Sequence, residues 1–340
     1  MTNAPLPSTT DFALLVGASQ YQELPVLTTT QEDMRLFTSW LLHSDGGNLP
    51  LSNVFTCPEP TNAEDVHKLA RTIVDRAKAC GGAGRLFLYF SGHGQSGGLR
   101  DAHFCLCPWS HSNVHSIITV SAYLDAFVSA DLFEEIIVFF DGCRDLPSGR
   151  APSGSQPPFS LTPQTGRLSR FRGSLVAFAC GDGWRAFYYP ELADRTRASV
   201  YTSVIVRGLM GGAADVNGSP GVRVERLCDF ARAWTDQIAQ ELHDRSQIPD
   251  AIMHGTISSS MLGRARPHRT VTFRARASHP QGVRLYGPDG RLVASRKSVS
   301  AGEEISVAVL DGLHLLRAQT GATLWGGHIP AAFEPLEMEF

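Results

Sequence analysis

No stretch of this chain approaches the roughly 18 uninterrupted apolar residues that a membrane helix needs. The N-terminus, Met1 to Asp11, is polar and rich in Pro and Thr, without the apolar centre of a secretory leader. Charge of one sign is also scarce: 30 Lys and Arg stand against 33 Asp and Glu, a net of −3, and the basic residues are scattered. That excludes the broad positive footprint of a nucleic-acid binder. Cysteine is thinly spread. Seven lie between Cys57 and Cys228, an odd number without the dense spacing of a secreted disulfide scaffold, which fits a reducing compartment. A soluble, cytoplasmic protein with no membrane and no nucleic-acid partner is the expectation.

What is present is enough for a core: 43% of the residues are hydrophobic, and 340 residues suit two domains. Phe12 to Gly17 is an apolar run closed by glycine, a strand buried on both faces. Thr30 to Leu42 reads as a helix with Met34, Phe37 and Leu41 on one side. Val54 and Phe55 form a weaker strand. Thr61-Asn62-Ala63-Glu64 reads as a capping box before a second helix carrying Val66, Leu69, Ala70, Ile73, Val74 and Ala77. Strands follow at Arg85 to Phe90 and Glu135 to Phe140, with a helix near Ser121 to Val128 between them. After an irregular Pro/Ser/Gly/Arg-rich stretch from Arg144 to Arg172 come a strand at Ser174 to Ala179 and helices over Ser199 to Met210 and Leu227 to Leu242. This alternation predicts an α/β fold, a mostly parallel sheet with helices on both faces, over residues 11–262 after a flexible tail at 1–10. From 268 to 340, short strand-like runs separated by turn signals predict a small antiparallel, sandwich-like β domain.

Two motifs carry chemistry. Ser91-Gly92-His93-Gly94 follows the third strand, and Asp141-Gly142-Cys143-Arg144-Asp145 follows the fourth. The carboxyl ends of strands are where open α/β sheets hold their sites. On neighbouring strands, His93 and Cys143 share one edge, and an imidazole there can take the proton that keeps a thiol from acting as a nucleophile. The glycines leave room for a peptide backbone, and the Gly94 and Cys143 N–H groups suit an oxyanion hole.

These residues resemble the caspase-like cysteine peptidases. The interval 143 − 93 = 50 matches the caspase spacing, and Asp-Gly-Cys-Arg-Asp is closer to paracaspases and bacterial orthocaspases than to animal caspases. The likeness spans roughly Asp11 to Met261 and includes Phe178-Ala179-Cys180 with Ala186-Phe187. It implies a cysteine endopeptidase with a Cys143–His93 dyad. It also implies a pocket for Arg or Lys lined by Asp33, Ser91 and Asp141, because a guanidinium needs charge and paired acceptors. One departure stands out: paracaspases carry a glutamate where this chain has Tyr188. Relatives are linked to bacterial stress responses, cell death and antiviral (phage) defence, among which these residues do not choose. Calcium activates many metacaspases and is no paracaspase requirement, so no cofactor is assigned and calcium is left open.

Further readings stay beside this one. Arg150, Arg167, Arg170 and Arg172, downstream of the nucleophile, suit self-cleavage by an enzyme that cuts after basic residues. Cys105-Leu106-Cys107 with His103 and His111 has metal-ligand residue types but no second matching pair, so no metal is expected. Asp182, Glu191 and Asp194 suit either a pocket rim or a solvated loop. The domain at 268–340 offers a surface for a partner protein. Rival functions are a catalytically silent binding protein on the same fold and a thiol hydrolase of small amides.

Overall fold

The computed structural model describes residues 10–145, 157–159, 169–188, 198–213, 221–264, 269–286, 292–309, 312–329 and 336–339. The chain forms two compact units, Met1–Ser203 with Ala231–Ser260, and Val204–Phe230 with Met261–Phe340.

In the first unit the elements run β1 (Phe12–Gly17), α1 (Thr30–Leu42), β2 (Val54–Pro58), α2 (Ala63–Ala79), β3 (Ala83–Ser91), β4 (Gly94–Ser96), β5 (Ala102–Cys105), β6 (Ile117–Thr119), α3 (Val120–Ala130), β7 (Phe133–Asp141) and β8 (Gly173–Phe178). The unit division then falls within α4 (Val200–Arg207) and α5 (Val224–His243), between which lies β9 (Gly221–Arg223); β10 (Asp250–Gly255) closes the main sheet. Its order is β10-β8-β7-β3-β1-β2, parallel throughout except for β10 against β8.

Side-chain alternation along the strands divides the core between the two faces. Phe12, Leu14 and Val16 of β1, with Leu86, Leu88, Phe90, Ile136, Val138 and Phe140, pack with Val66, Ala70 and Ile73 of α2 and Tyr123 and Phe127 of α3. The opposite face meets α1, where Phe37 stacks on Tyr89 at 4.5 Å and approaches Phe139 at 5.4 Å, and Trp40 meets Phe87 at 5.5 Å. Helices on both faces follow directly.

Local signals were displaced in places. The capping box of α2 is one residue further on than its Thr61/Glu64 reading: Asn62 accepts the Asp65 N–H, and the Asp65 carboxylate accepts from Asn62 N and from Thr61 N and Oγ1. Asp at the third helical position reaches back as well as Glu does. The helix expected over Ser199 to Met210 ends at Arg207 and continues as a π turn, Gly208–Gly212, with Gly211 at φ 119°.

In the second unit β11 (Met261–Arg264) pairs with β9. Beyond it lie β12 (Arg269–Arg274), β13 (Val283–Tyr286), β14 (Leu292–Arg296), β15 (Glu304–Val309), β16 (Gly312–Ala318), β17 (Thr323–Ile329) and β18 (Leu336–Glu339). They form sheets ordered β15-β12-β18 and β14-β13-β16-β17, around Val271, Phe273, Val283, Leu285, Ile305 and Leu316. Pairing is antiparallel except for β18, which runs parallel to β12.

Candidate active site

The register of β3 and β7 brings the two motifs together. Ser91 pairs with Asp141, so His93 and Cys143 each lie two residues beyond the same rung. The ladder extends one step further, with Gly92 N donating to Asp141 O at 3.1 Å. A Cβ on Gly142 would stand 2.7 Å from the Gly92 carbonyl oxygen, and one on Gly94 would stand 2.6 Å from that of Cys143, so close backbone approach requires glycine at both. His93 and Cys143 are both partly buried.

His93 is oriented from one loop. Its Nε2 lies 2.8 Å from the Pro25 carbonyl oxygen, which can only accept, so the ring proton sits on Nε2 and Nδ1 is the unprotonated nitrogen. The Tyr21 hydroxyl donates to Ala18 O at 3.0 Å, receives the His93 backbone N–H at 2.9 Å, and the two rings meet edge to face at 4.8 Å. Burial lowers the imidazole pKa, against the Pro25 hydrogen bond and the Asp145 charge, which raise it. Burial likewise pushes the Cys143 thiol up, opposed by the Ala186 N–H that points at Sγ from 3.4 Å. The two shifts together favour a neutral thiol beside a neutral imidazole. No hydrogen bond joins the two side chains among the described residues.

The amides next to the thiol are poised differently from most of the sheet. Cys105 N donates to His93 O at 2.9 Å, the pattern of a non-hydrogen-bonded Gly94–Phe104 rung, in which the Gly94 N–H turns away from β5. The Cys143 N–H has no acceptor among the described residues.

Beneath this edge lies a buried acid cluster. Ser91 and Asp141 share the side-chain parity of Tyr89 and Phe139, which points them at α1. Asp33 stands one turn before Phe37 on the same helical stripe and meets them there. Asp33, Ser91 and Asp141 are 1%, 2% and 5% exposed, too little for water to solvate two carboxylates. Asp33 accepts from Ser91 Oγ at 3.2 Å and from Ser199 N at 2.8 Å. Asp141 accepts from Ser199 Oγ, Thr202 Oγ1 and Thr202 N, and Tyr89 OH bonds Thr202 Oγ1 at 2.6 Å. Burial first, then the charge of Asp141, drives the Asp33 pKa well up, and burial raises that of Asp141. No Lys or Arg pairs with either carboxylate among the described residues.

Arg144, directly after Cys143, is fully buried. Its guanidinium lies over the Phe178 ring at 4.1 Å and donates to Gly98 O at 2.8 Å and Asp101 O at 3.2 Å. It lies 3.6 Å from Asp250 and 3.9 Å from Asp182, which also receives the Ser96 hydroxyl. Tyr188 is half exposed and bridges Ser199 through the backbone.

The remaining sequence candidates lie apart. His103 contacts Thr119, His111 pairs with Glu23, and Cys107 donates to Glu59, while no group of three metal-ligating side chains gathers among the described residues. Arg170 and Arg172 are held in the sheet margin: their backbone N–H groups donate to Asp131 Oδ1 at 2.8 Å and Glu134 O at 2.7 Å. Arg150, Arg167, Glu191 and Asp194 lie outside the described residues. Sequence reasoning missed Tyr21, Pro25, Ser199 and Thr202. The hydroxyl residues follow no motif, and Pro25 acts through a carbonyl that every residue possesses. No helix among the described residues is long and apolar enough to cross a membrane.

The caspase-domain family model matches residues 10–249. Among solved structures, the chain is similar to caspase-1 from Spodoptera frugiperda, with 15% identity and a TM-score of 0.47 over 74% of this chain and 93% of that one. It is also similar to pro-sf-caspase-1, with 15% identity and a TM-score of 0.43 over 74% and 93%. No curated protein matches it.

Proposed function

Because the chain belongs to the caspase family, its domain spanning residues 10–249, we propose that it is a cysteine endopeptidase that cuts proteins after Arg or Lys. One observation carries the choice of substrate: two carboxylates, Asp33 and Asp141, lie buried together beside Cys143 with no basic partner among the described residues. Two like charges out of water raise each other's free energy, and a cationic side chain entering between them replaces the missing solvation. Ser91, Ser199 and Thr202 hold the carboxylates by hydrogen bonds that use only part of their acceptor capacity.

In this reading Nδ1 of His93 takes the Cys143 proton as the sulfur attacks the scissile carbonyl carbon. The oxygen, now negative, is held by the Gly94 and Cys143 N–H groups. His93 returns the proton to the departing amine, and water then hydrolyses the thioester. The neutral resting pair means that proton transfer accompanies substrate engagement. A positional-scanning peptide library, run with and without calcium and with Cys143→Ala as control, tests the assignment. Cleavage after Arg and Lys that disappears in Cys143→Ala is expected. A profile favouring aspartate, or substantial turnover by Cys143→Ala, overturns it.

A further inference from the structure

Both contacts that orient His93 come from the loop Ser19 to Leu27, through Tyr21 and Pro25. This loop has no helix or strand of its own, and Gln22, Glu23, Pro25 and Val26 are exposed. Its base is closed by Leu27 N donating to Ser19 O and Ala18 N to Ser91 O, each at 3.0 Å. Such a loop needs a fixed point to hold a carbonyl within hydrogen-bond reach of a catalytic ring.

Glu59, just after β2, supplies one. Its carboxylate accepts Ser19 N on both oxygens at 3.1 and 3.0 Å, Gln20 N at 3.1 Å and the Ser19 hydroxyl, and the Cys107 thiol reaches it from the other side at 3.2 Å. Its own N–H is tied to Gly17 O at 2.7 Å. The backbone is left-handed there, φ 52°, a conformation that disfavours a side chain with a Cβ. Four donors converging on one carboxylate offset that cost and aim it at the root of the loop.

We propose that Glu59 is a positioning residue for the catalytic base: by clamping Ser19 and Gln20 it holds Tyr21 and Pro25 against His93, keeping the ring proton on Nε2 and Nδ1 toward the thiol. This rests on the Cys143–His93 pairing and not on the preference for basic substrates. The ionisable groups around His93 are Cys143, Tyr21 and Asp145, the last raising its pKa together with the Pro25 hydrogen bond. Slackening the loop removes the Pro25 contribution, so the imidazole titrates at lower pH.

The test compares wild type, Glu59→Gln, Glu59→Ala and, as a control, Glu32→Gln, which loses its pair with Arg35. Cys143 alkylation by iodoacetamide is followed against pH by peptide mass mapping, and kcat and KM are measured per titrated active site. Both Glu59 variants should shift the acid inflection of alkylation to lower pH and lose ~10-fold or more in kcat, the scale of a small misplacement of a reacting group. KM should change little, and Glu32→Gln should match wild type. If Glu59→Ala does not fold, Glu59→Gln, which keeps the size and one carbonyl oxygen, decides. A folded Glu59→Gln with wild-type inflection and kcat overturns the proposal. A wild type that cleaves no basic peptide sinks the substrate assignment yet leaves the alkylation profile readable.

Discussion

Asp33 occupies a position where a charge is costly, and its neighbours tell why it is there. Burial and the Asp141 charge both raise its pKa, so the folded state holds a proton that the unfolded chain releases near pH 4. Stability contributed by this group is therefore full below the unfolded value and lost as pH rises through the folded one. Asp33→Asn removes the repulsion and keeps the shape. It should stabilise the protein by about 0.5–2 kcal/mol at pH 8, the range seen when a strained functional site is relaxed, with no gain near pH 4. Thermal melts at the two pH values check this, and an unchanged or lower melting temperature at pH 8 contradicts it. The same substitution should abolish cleavage after basic residues. At this scale the sequence is informative where a residue type is tied to a strand end: His93 and Cys143 are legible from their motifs, whereas Ser91, Asp141 and Asp33 are reached only through the family resemblance. Ser199 and Thr202 are not legible, because they reach Asp141 from about 60 residues away, with |i−j| of 58 and 61. Glu59 and Arg144 act by what they hold, which no local pattern records.

The junction of β3 and β7 is the element on which the site depends. Gly142 has no room for a methyl group, since its Cβ would lie 2.7 Å from Gly92 O and 3.0 Å from Phe140 Cε1, backbone and core atoms that cannot swing aside. Gly142→Ala should destabilise the fold by roughly 1–3 kcal/mol, the cost of overpacking, and should lower kcat by parting the two strand ends. Urea unfolding with active-site titration checks both; wild-type kcat in a stable variant would mean that the strand separation is not critical. Elements with a long period were readable: α1 and α2 show an apolar stripe, and β1, β3 and β7 are apolar runs. The small sheet of β4, β5 and β6 was missed because strands of three or four residues hardly display a period. β10 was missed because this edge strand is only half buried or exposed along its length.

Across the whole molecule, the proposed specificity turns on the chain itself, since beyond the buried Arg144 four more arginines, Arg150, Arg167, Arg170 and Arg172, follow Cys143 within thirty residues. Arg170 and Arg172 are engaged through their backbone N–H groups, so cutting after either requires those bonds to open first. Incubated wild type should show new fragments by intact mass, absent from Cys143→Ala and from a variant with Arg150, Arg167, Arg170 and Arg172 changed to alanine. A wild type that stays whole at full activity removes self-processing as a switch. The acid cluster draws its members from α1, the end of β3, the end of β7 and the turn entering α4, and Asp33 and Ser199 are 166 positions apart. Exchanging one surface loop therefore cannot re-target such an enzyme; a graft would have to carry four separate segments, together with the aromatic layer of Phe37, Tyr89 and Phe139 that fixes their spacing.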